Sequence, residues 1–487
     1  MLKKIFAVLL VLVLLPAGAF ACTAIYVGSE LTADGSTIFA RVEEYSPAEV
    51  WPKLFEVIPE GAHMTGEEYT GCYGFTWTFT HDSFGYTAFR DNNLQGVCPD
   101  CEGTHAHTPY QSAGTNSKGV SVTATETLKA NRAIIAVDPF NTESGIEEAE
   151  IPTILLSEAS TAREAMMLLI SIYETAGAYD GAGVIVGDAD EVWYIENLSG
   201  KQYIAVRLNP DLAFVCPNIS AIGLVNLNDT ENVAASDGLI ETAVKAGTFV
   251  GNAEAGLIDY AASYDAAPDS TYQRLAAGLN YLAGDSTYPV NLTRSGIDGS
   301  AYRISNVNSE GKTVPPYTNI RLKGKLSVRE VMAFFQQEPI SEHRSLETHI
   351  FQISDHTKQG TVEWISMADN RNSVFVPYYP MTTSEVYPYF HTELPMPEYT
   401  EEKPAEGLYY GTKFGNWGLY PEGWRDSWYW VFTMLEHIAR EDEAAAAHIR
   451  EKMDALQDEI CASGEMGNQA AEKCWNAALD LLSDYGR

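Results

Sequence analysis

Cys22 stands directly after Ala19-Phe20-Ala21, a small-x-small pattern of the kind cut by signal peptidases. Cutting there would give a chain whose first residue carries both a thiol and an α-amine. Such a residue holds its own general base, because an α-amine has a pKa of ~7.7 and is partly unprotonated at neutral pH. The amine takes the thiol proton, the thiolate attacks a carbonyl carbon, and the proton passes to the departing amine. Two other uses of a cysteine at this place stand beside that chemistry. A lipidated cysteine normally follows a signal with an aliphatic residue such as Leu three places earlier, whereas here those places hold Ala19, Phe20 and Ala21, and Phe20 fits poorly. A structural disulfide is the other.

The remaining reactive side chains offer less. Cys98-Pro-Asp-Cys101 with His105 and His107 has the residue types of a zinc site, but four ligands within ten residues are cramped, and a local disulfide with two loop histidines is the better reading. The seven cysteines are Cys22, Cys72, Cys98, Cys101, Cys216, Cys461 and Cys474, and an exported chain can oxidise them. If six pair, the one left over is expected to be Cys22, as a nucleophile requires. Trp417, Trp424, Trp428, Tyr429 and Trp430 resemble a carbohydrate platform, yet aromatic clusters more often fill cores.

The elements that must position Cys22 begin at the N-terminus. Lys3 and Lys4 precede an apolar run from Ile5 to Leu15 that Pro16 interrupts, which is too short to span a bilayer and reads as a secretory signal over residues 1–21. The formal charge of −35 at pH 7 argues against nucleic acid and against anionic membrane surfaces as partners, since both demand clustered Lys and Arg. Strand-like runs are predicted at 23–27, 36–42, 75–79, 120–127, 183–187, 192–196 and 202–207, with Ala33-Asp34-Gly35 as the turn of a first hairpin. Helices are predicted at about 161–176, 231–246, 272–282 and 327–337. Three more strands follow in HIFQISD, TVEWISM and SVFVPYY, then an irregular connection at 387–404 and helices at 426–458 and 468–483. Strands in groups and helices in groups indicate an α+β body with antiparallel sheets.

CTAIYVGSELTADGSTIFARVEEY, starting at Cys22, resembles the opening of cysteine dipeptidases of the N-terminal-nucleophile hydrolase superfamily, relatives of penicillin V acylase and bile salt hydrolase. GTNSKGVSVTATET, EVWYIENLSGKQYIAVRLNPDLAFVCPN, STYQRL, LSVREVMAFF, THIFQI, GTVEWISM, NSVFVPYYP and DSWYWVF continue the likeness in order. The resemblance implies a four-layer αββα sandwich of two antiparallel sheets between helices, spanning residues 22–400, with a mainly helical C-terminal extension over 401–487 packed on the core. It implies a cysteine-type dipeptidase that needs no cofactor and whose partners are small peptide substrates.

Carried onto this chain, the likeness makes Cys22 the nucleophile and places Arg41 beside it, where a guanidinium favours the thiolate. Glu44 occupies the position at which the wider superfamily uses an aspartate to hold the α-amine, and the neighbouring Glu43 is the alternative. Asn218 matches an oxyanion-hole asparagine. Glu126, Arg274 and Asn116 are expected to bind substrate, Glu126 by taking the free α-ammonium of a dipeptide. The rivals are an acylase of the penicillin V or bile salt type and a surface lipoprotein with Cys22 acylated. The acidic C-terminal helices could join two copies or cover a sheet. Intact-mass analysis of the exported protein should find residues 1–21 removed and an unmodified Cys22 amine, and a lipid adduct would overturn this reading.

Overall fold

The computed structural model describes residues 22–44, 51–71, 73–92, 110–126, 128–343, 345–395, 399–405, 407–411 and 416–487. Its frame is two antiparallel sheets. The first has six strands in the order Ala213–Cys216, Thr23–Val27, Thr37–Glu44, Ser345–Ile353, Thr361–Met367 and Val376–Tyr378. The second has eight, in the order Val233–Ala235, Tyr203–Leu208, Val192–Asn197, Ala182–Gly187, Ser121–Glu126, Gln111–Thr115, Tyr86–Asp91 and Lys53–Ile58. The protein is thus a mixed α+β molecule with antiparallel sheets and C-terminal helices.

The first hairpin forms as the Asp-Gly signal predicts. Asp34 Oδ1 accepts from the backbone N–H of Ser36 at 3.1 Å, and Gly35 takes the left-handed φ of 80° that the turn needs. Period-two alternation then divides the strand TIFARVEE between two environments. Ile38, Ala40 and Val42 join a large core with helices Thr271–Ala283, Val328–Phe334, Trp428–Glu441, Glu443–Ser463 and Gly467–Asp484. Phe39 enters a second core formed with Ile185, Tyr194, Ile204 and Val206 of the eight-stranded sheet. A third core joins the eight-stranded sheet to helices Ile151–Glu158 and Ala162–Thr175 through Val122, Val184, Trp193, Leu155 and Leu169.

Several expectations change in detail. The helix predicted at 231–246 is confined to Leu239–Ala246, and Val233–Ala235 is instead the edge strand of the eight-stranded sheet. The helix predicted at 426–458 is two helices, because Asp442 leaves the helical conformation and its carboxylate caps Ala444 and Ala445 at 2.8 and 3.0 Å. The stretch after residue 400 is not helical from its start: Tyr399–Thr400, Tyr409–Gly411 and Trp417–Leu419 form a small three-stranded sheet. Among the described residues, no helix is long and apolar enough to cross a membrane.

Three of the five aromatic residues of the cluster are core, while Trp417 and Trp424 are half-buried. Trp428, Tyr429 and Trp430 are buried, with Trp428 stacked on Phe390 at 4.1 Å and on Trp475 at 5.7 Å between ring centroids. Trp428 therefore locks the first C-terminal helix to the third and to the turn at Pro388–Phe390. Trp428→Ala should destabilise the protein by about 3–5 kcal/mol, read as a lowered denaturation midpoint in urea.

Candidate active site

Cys22 lies at the head of a central strand, and the register of its neighbours decides what meets it. Ala24 pairs with Arg41 on one side and with Cys216 on the other. One flank of Cys22 is therefore the charged end of Thr37–Glu44, and the other is the turn Cys216-Pro217-Asn218. The thiol is buried, with 6% of the residue exposed.

Arg41 occupies the first flank and is itself almost fully buried. Its Nη1 lies 3.5 Å from Cys22 Sγ and 3.2 Å from Glu148 Oε1. Its Nη2 meets Glu43 Oε2 at 3.4 Å and Glu347 Oε1 at 3.6 Å. Glu43 also pairs with Lys53 Nζ at 2.5 Å, and Lys53 in turn with Asp91. Tyr110 donates its hydroxyl to Glu148 Oε1 at 2.6 Å, and Ser112 donates to Glu347 Oε1 at 3.1 Å. His349, opposite Arg41 in the register, sits 3.0 Å from Glu347 Oε2 through Nδ1 and 2.8 Å from Thr123 Oγ1 through Nε2. The carboxylate partner places the ring proton on Nδ1, and burial holds the imidazole below its usual pKa, so it sits there neutral.

The second flank is held by Arg274 from helix Thr271–Ala283. Its Nη1 donates to the carbonyl of Cys22 at 2.6 Å and to Thr23 Oγ1 at 3.2 Å. Its Nη2 donates to the carbonyl of Pro217 at 3.2 Å and to Asn218 Oδ1 at 2.7 Å. A guanidinium can meet only the oxygen of a carboxamide, so this bond orients Asn218 with its NH2 group turned from Arg274. Asn218 has a φ of 60°, in the left-handed region that non-glycine residues seldom adopt. Such strain persists where surroundings enforce it, and Arg274 is the enforcing group.

Burial dominates the acidity of the thiol. It pushes Cys22 up to about 11, against the pull of Arg41 and with a further push from Glu148 and Glu43. Arg41 does favour the thiolate, as expected, but burial outweighs it. The resting group at neutral pH is the thiol, and a base is needed to activate it.

The predicted residues separate into those near Cys22 and those elsewhere. Arg41, Asn218 and Arg274 converge on it. Arg274 does so by fixing the nucleophile's carbonyl and Asn218, and it is buried rather than turned to a substrate space. Glu43 shares the face of Arg41. Glu44 points to the opposite face, where its carboxylate accepts from the Glu342 N–H at 3.0 Å and from Ser345 Oγ at 3.1 Å, while its carbonyl accepts from Cys22 Sγ at 3.9 Å. Asn116 is placed at odds with substrate binding: fully buried, it donates to the carbonyls of Leu156 and Ala159 and accepts from Lys118 and Val120 N–H, which uses both ends of its carboxamide in joining a hairpin to a helix. Glu126 ends its strand opposite Ala182.

The cysteine pairing needs correction. Cys216, Cys461 and Cys474 are free thiols, as is Cys22, so parity does not single out the nucleophile. Cys216 is buried beside the Tyr194 hydroxyl at 3.2 Å. Cys72, Cys98, Cys101, His105 and His107 lie outside the described residues. Among the described residues, no group of three or more His, Cys, Asp and Glu side chains is placed to hold a metal ion.

Lys53, Tyr110, Glu148, Glu347 and His349 escaped the sequence reading. The strand ones carried a signal: in FARVEE and LETHIF, charged residues recur at every second position, and the antiparallel register sets Glu347 beside Glu43 and His349 beside Arg41, so that all four share one face of the six-stranded sheet. Glu148 lies in GIEEAEIP, whose three acids are all buried, and of these Glu148 reaches Arg41.

Residues 21–274 match the family described as Peptidase family C69. The chain belongs to that family. It is 32% identical over 379 residues to a probable dipeptidase of Salmonella dublin, covering 74% of this chain and 81% of that one. It is also 32% identical over 377 residues to probable dipeptidase B of Streptococcus pyogenes serotype M1, covering 74% and 72%. Over 223 residues it is 35% identical to a dipeptidase of Bifidobacterium longum, covering 43% and 39%. A variant of conjugated bile acid hydrolase from Clostridium perfringens aligns over 71% of this chain and 89% of its own, with 12% identity and a TM-score of 0.28, and a likeness of that degree carries no argument.

In this C69 peptidase, Arg41 is the common counter-ion of three buried carboxylates. Replacing it with an apolar chain of similar length leaves Glu148 and Glu347 without this cation while Glu43 keeps Lys53, and Arg41→Met should destabilise the fold by about 3–5 kcal/mol at neutral pH. Chemical denaturation at pH 7 checks this.

Proposed function

We propose that this C69 peptidase is an exported dipeptidase in which removal of residues 1–21 makes Cys22 an N-terminal nucleophile on a four-layer αββα sandwich. The observation that carries the reading is the convergence on Cys22 of Arg41 from one flanking strand and of Asn218, clamped by Arg274, from the other. The names of the relatives, dipeptidases over most of this chain's length, support the substrate class.

The chemistry follows from the positions. Burial keeps the Cys22 thiol protonated at neutral pH, so the α-amine of the same residue, once freed, serves as its base. The thiolate attacks the peptide carbonyl, and the developing oxyanion is met by the Asn218 NH2 group, which Arg274 orients by holding the other end of the carboxamide. Collapse breaks the C–N bond, the protonated amine delivers its proton to the leaving amino acid, and water then hydrolyses the thioester. Glu43 and Glu44 flank the start of this path, and one of them holds the α-amine. The buried ion pairs keep Arg41 in place while the charge on sulfur changes.

The amine must be unprotonated to accept the thiol proton. Activity should therefore fall as pH drops below ~7.7 and level off above it, a profile set by the α-amine and not by a histidine. The experiment that tests the reading is a pH series of kcat/KM on a free dipeptide with the mature enzyme. Cys22→Ala should be inactive, and Cys22→Ser should retain a small activity with the same lower limb. Undiminished hydrolysis by Cys22→Ala would overturn the assignment.

A further inference from the structure

The two nitrogens of the Arg41 guanidinium face different company. Nη2 meets Glu43 and Glu347, both engaged further by other groups: Glu43 by Lys53, Glu347 by Ser112 and His349. Nη1 meets only two groups among the described contacts, the sulfur of Cys22 and Oε1 of Glu148. Glu148 is thus the carboxylate on the nucleophile's side of the guanidinium. Through that shared nitrogen, Sγ and Oε1 lie within about 7 Å of each other.

That span matches one chemical group of the substrate. In a peptide attacked at its first carbonyl, the carbon stands about 3–3.5 Å from sulfur. The α-nitrogen of the same residue is about 2.5 Å beyond that carbon, given standard bond lengths and angles. A charge-assisted N–H···O contact adds about 2.8 Å. Laid end to end the three steps exceed the gap between Sγ and Glu148, so a bent substrate spans it and its first α-nitrogen comes within reach of Oε1.

We propose that Glu148 is the residue that recognises the free α-ammonium of the substrate and so fixes cleavage one residue from its N-terminus. This rests on the dipeptidase reading above and differs from the sequence-based expectation, which gave the ammonium to Glu126. The backbone around Glu148 suits a fixed anchor. Its carbonyl accepts from the Ile151 N–H at 3.2 Å as helix Ile151–Glu158 begins, Glu150 Oε2 accepts from the Glu147 N–H at 2.8 Å, and Tyr110 holds Oε1. Glu148 also has an electrostatic link to the nucleophile, since its charge helps to hold the thiol protonated. An ammonium bound to Glu148 offsets that charge, so a correct substrate eases the deprotonation of Cys22.

The test compares a free dipeptide, L-alanyl-L-alanine, with its N-acetyl derivative, using the mature enzyme and its Glu148→Gln and Glu126→Gln variants. Both substrates are read as kcat/KM, or as Ki against the free dipeptide where the acetylated one is not turned over. Glu148→Gln should lower kcat/KM for the free dipeptide about ten- to hundredfold, the effect of losing a hydrogen bond to a charged group. The acetylated compound should change by less than about threefold on the same scale, and alkylation of Cys22 by iodoacetamide at pH 8 should become faster. Glu126→Gln should leave the preference intact. If Glu148→Gln does not fold, Glu148→Asp, which keeps the charge and shortens the chain, should give a smaller loss confined to the free dipeptide. Equal losses on both compounds overturn the proposal, as does a selective loss in Glu126→Gln alone. A wild-type enzyme that prefers the acetylated compound refutes the dipeptidase reading itself.

Discussion

The buried guanidinium of Arg41 is the interaction on which the rest of the site depends. A charge this deep is tolerated only when paired, because desolvating an ion without a partner costs several kcal/mol. Arg41 is paired with three carboxylates from three parts of the chain: Glu43 on its own strand, Glu347 on the neighbouring strand of the same sheet, and Glu148 from the turn beyond the other sheet. One side chain therefore ties the two sheets together electrostatically at the end where the nucleophile sits. At the other end, Phe39, Tyr194, Ile204 and Phe351 join them by apolar contact.

This division along the space between the sheets explains how the Cys22 thiol can be buried and still lie beside a charge that favours its thiolate. A wholly apolar surrounding would hold Cys22 protonated with nothing to receive a negative sulfur. A wholly charged one would not bury enough surface to keep the sheets together. The chain places the transition at a single residue spacing, since Phe39 and Arg41 are adjacent positions on the same face of one strand. The same register sets Arg41 opposite Ala24 and His349 opposite Arg41, so the Cys22 thiol, the guanidinium and the buried imidazole are aligned by strand pairing.

Much of this was legible in the sequence, and what was not has identifiable causes. The first hairpin followed from Asp34-Gly35, most later strands from β-type runs bounded by Gly and Pro, and helix 162–175 from the three- and four-residue spacing of its apolar residues. The division of 426–458 into two helices was missed because Asp442 sits within a strongly helix-forming stretch and acts through its backbone conformation. Arg41, Asn218 and Arg274 were expected from likeness of motif rather than from any local property, and Arg41 and Arg274 lie against Cys22 with Asn218 bonded to Arg274. Asn116 was misread because a buried asparagine that closes a hairpin and one that binds a ligand look alike in sequence; only its four bonds to the backbone tell them apart. Glu148 was invisible for a different reason. Its partner Arg41 lies 107 positions away, and no periodicity links a turn to a strand of another sheet.

The two arginines of the site do opposite work, and the contrast bears on how it functions. The four oxygens described around Arg274 belong to uncharged groups, and through them it fixes geometry: the carbonyl of Cys22 and the oxygen of Asn218 are held by one rigid planar group. Arg41 meets three carboxylates and a sulfur, and fixes charge. The proposed mechanism, which creates negative charge first on sulfur and then on a carbonyl oxygen, needs both kinds of support, in that order. Arg41 lies beside the first position, while Arg274 acts on the second through Asn218. Because Cys22 lies between them at the head of one strand, a displacement of that strand by a single residue would separate the thiol from both, which makes strand register the structural requirement that the chemistry places on the fold.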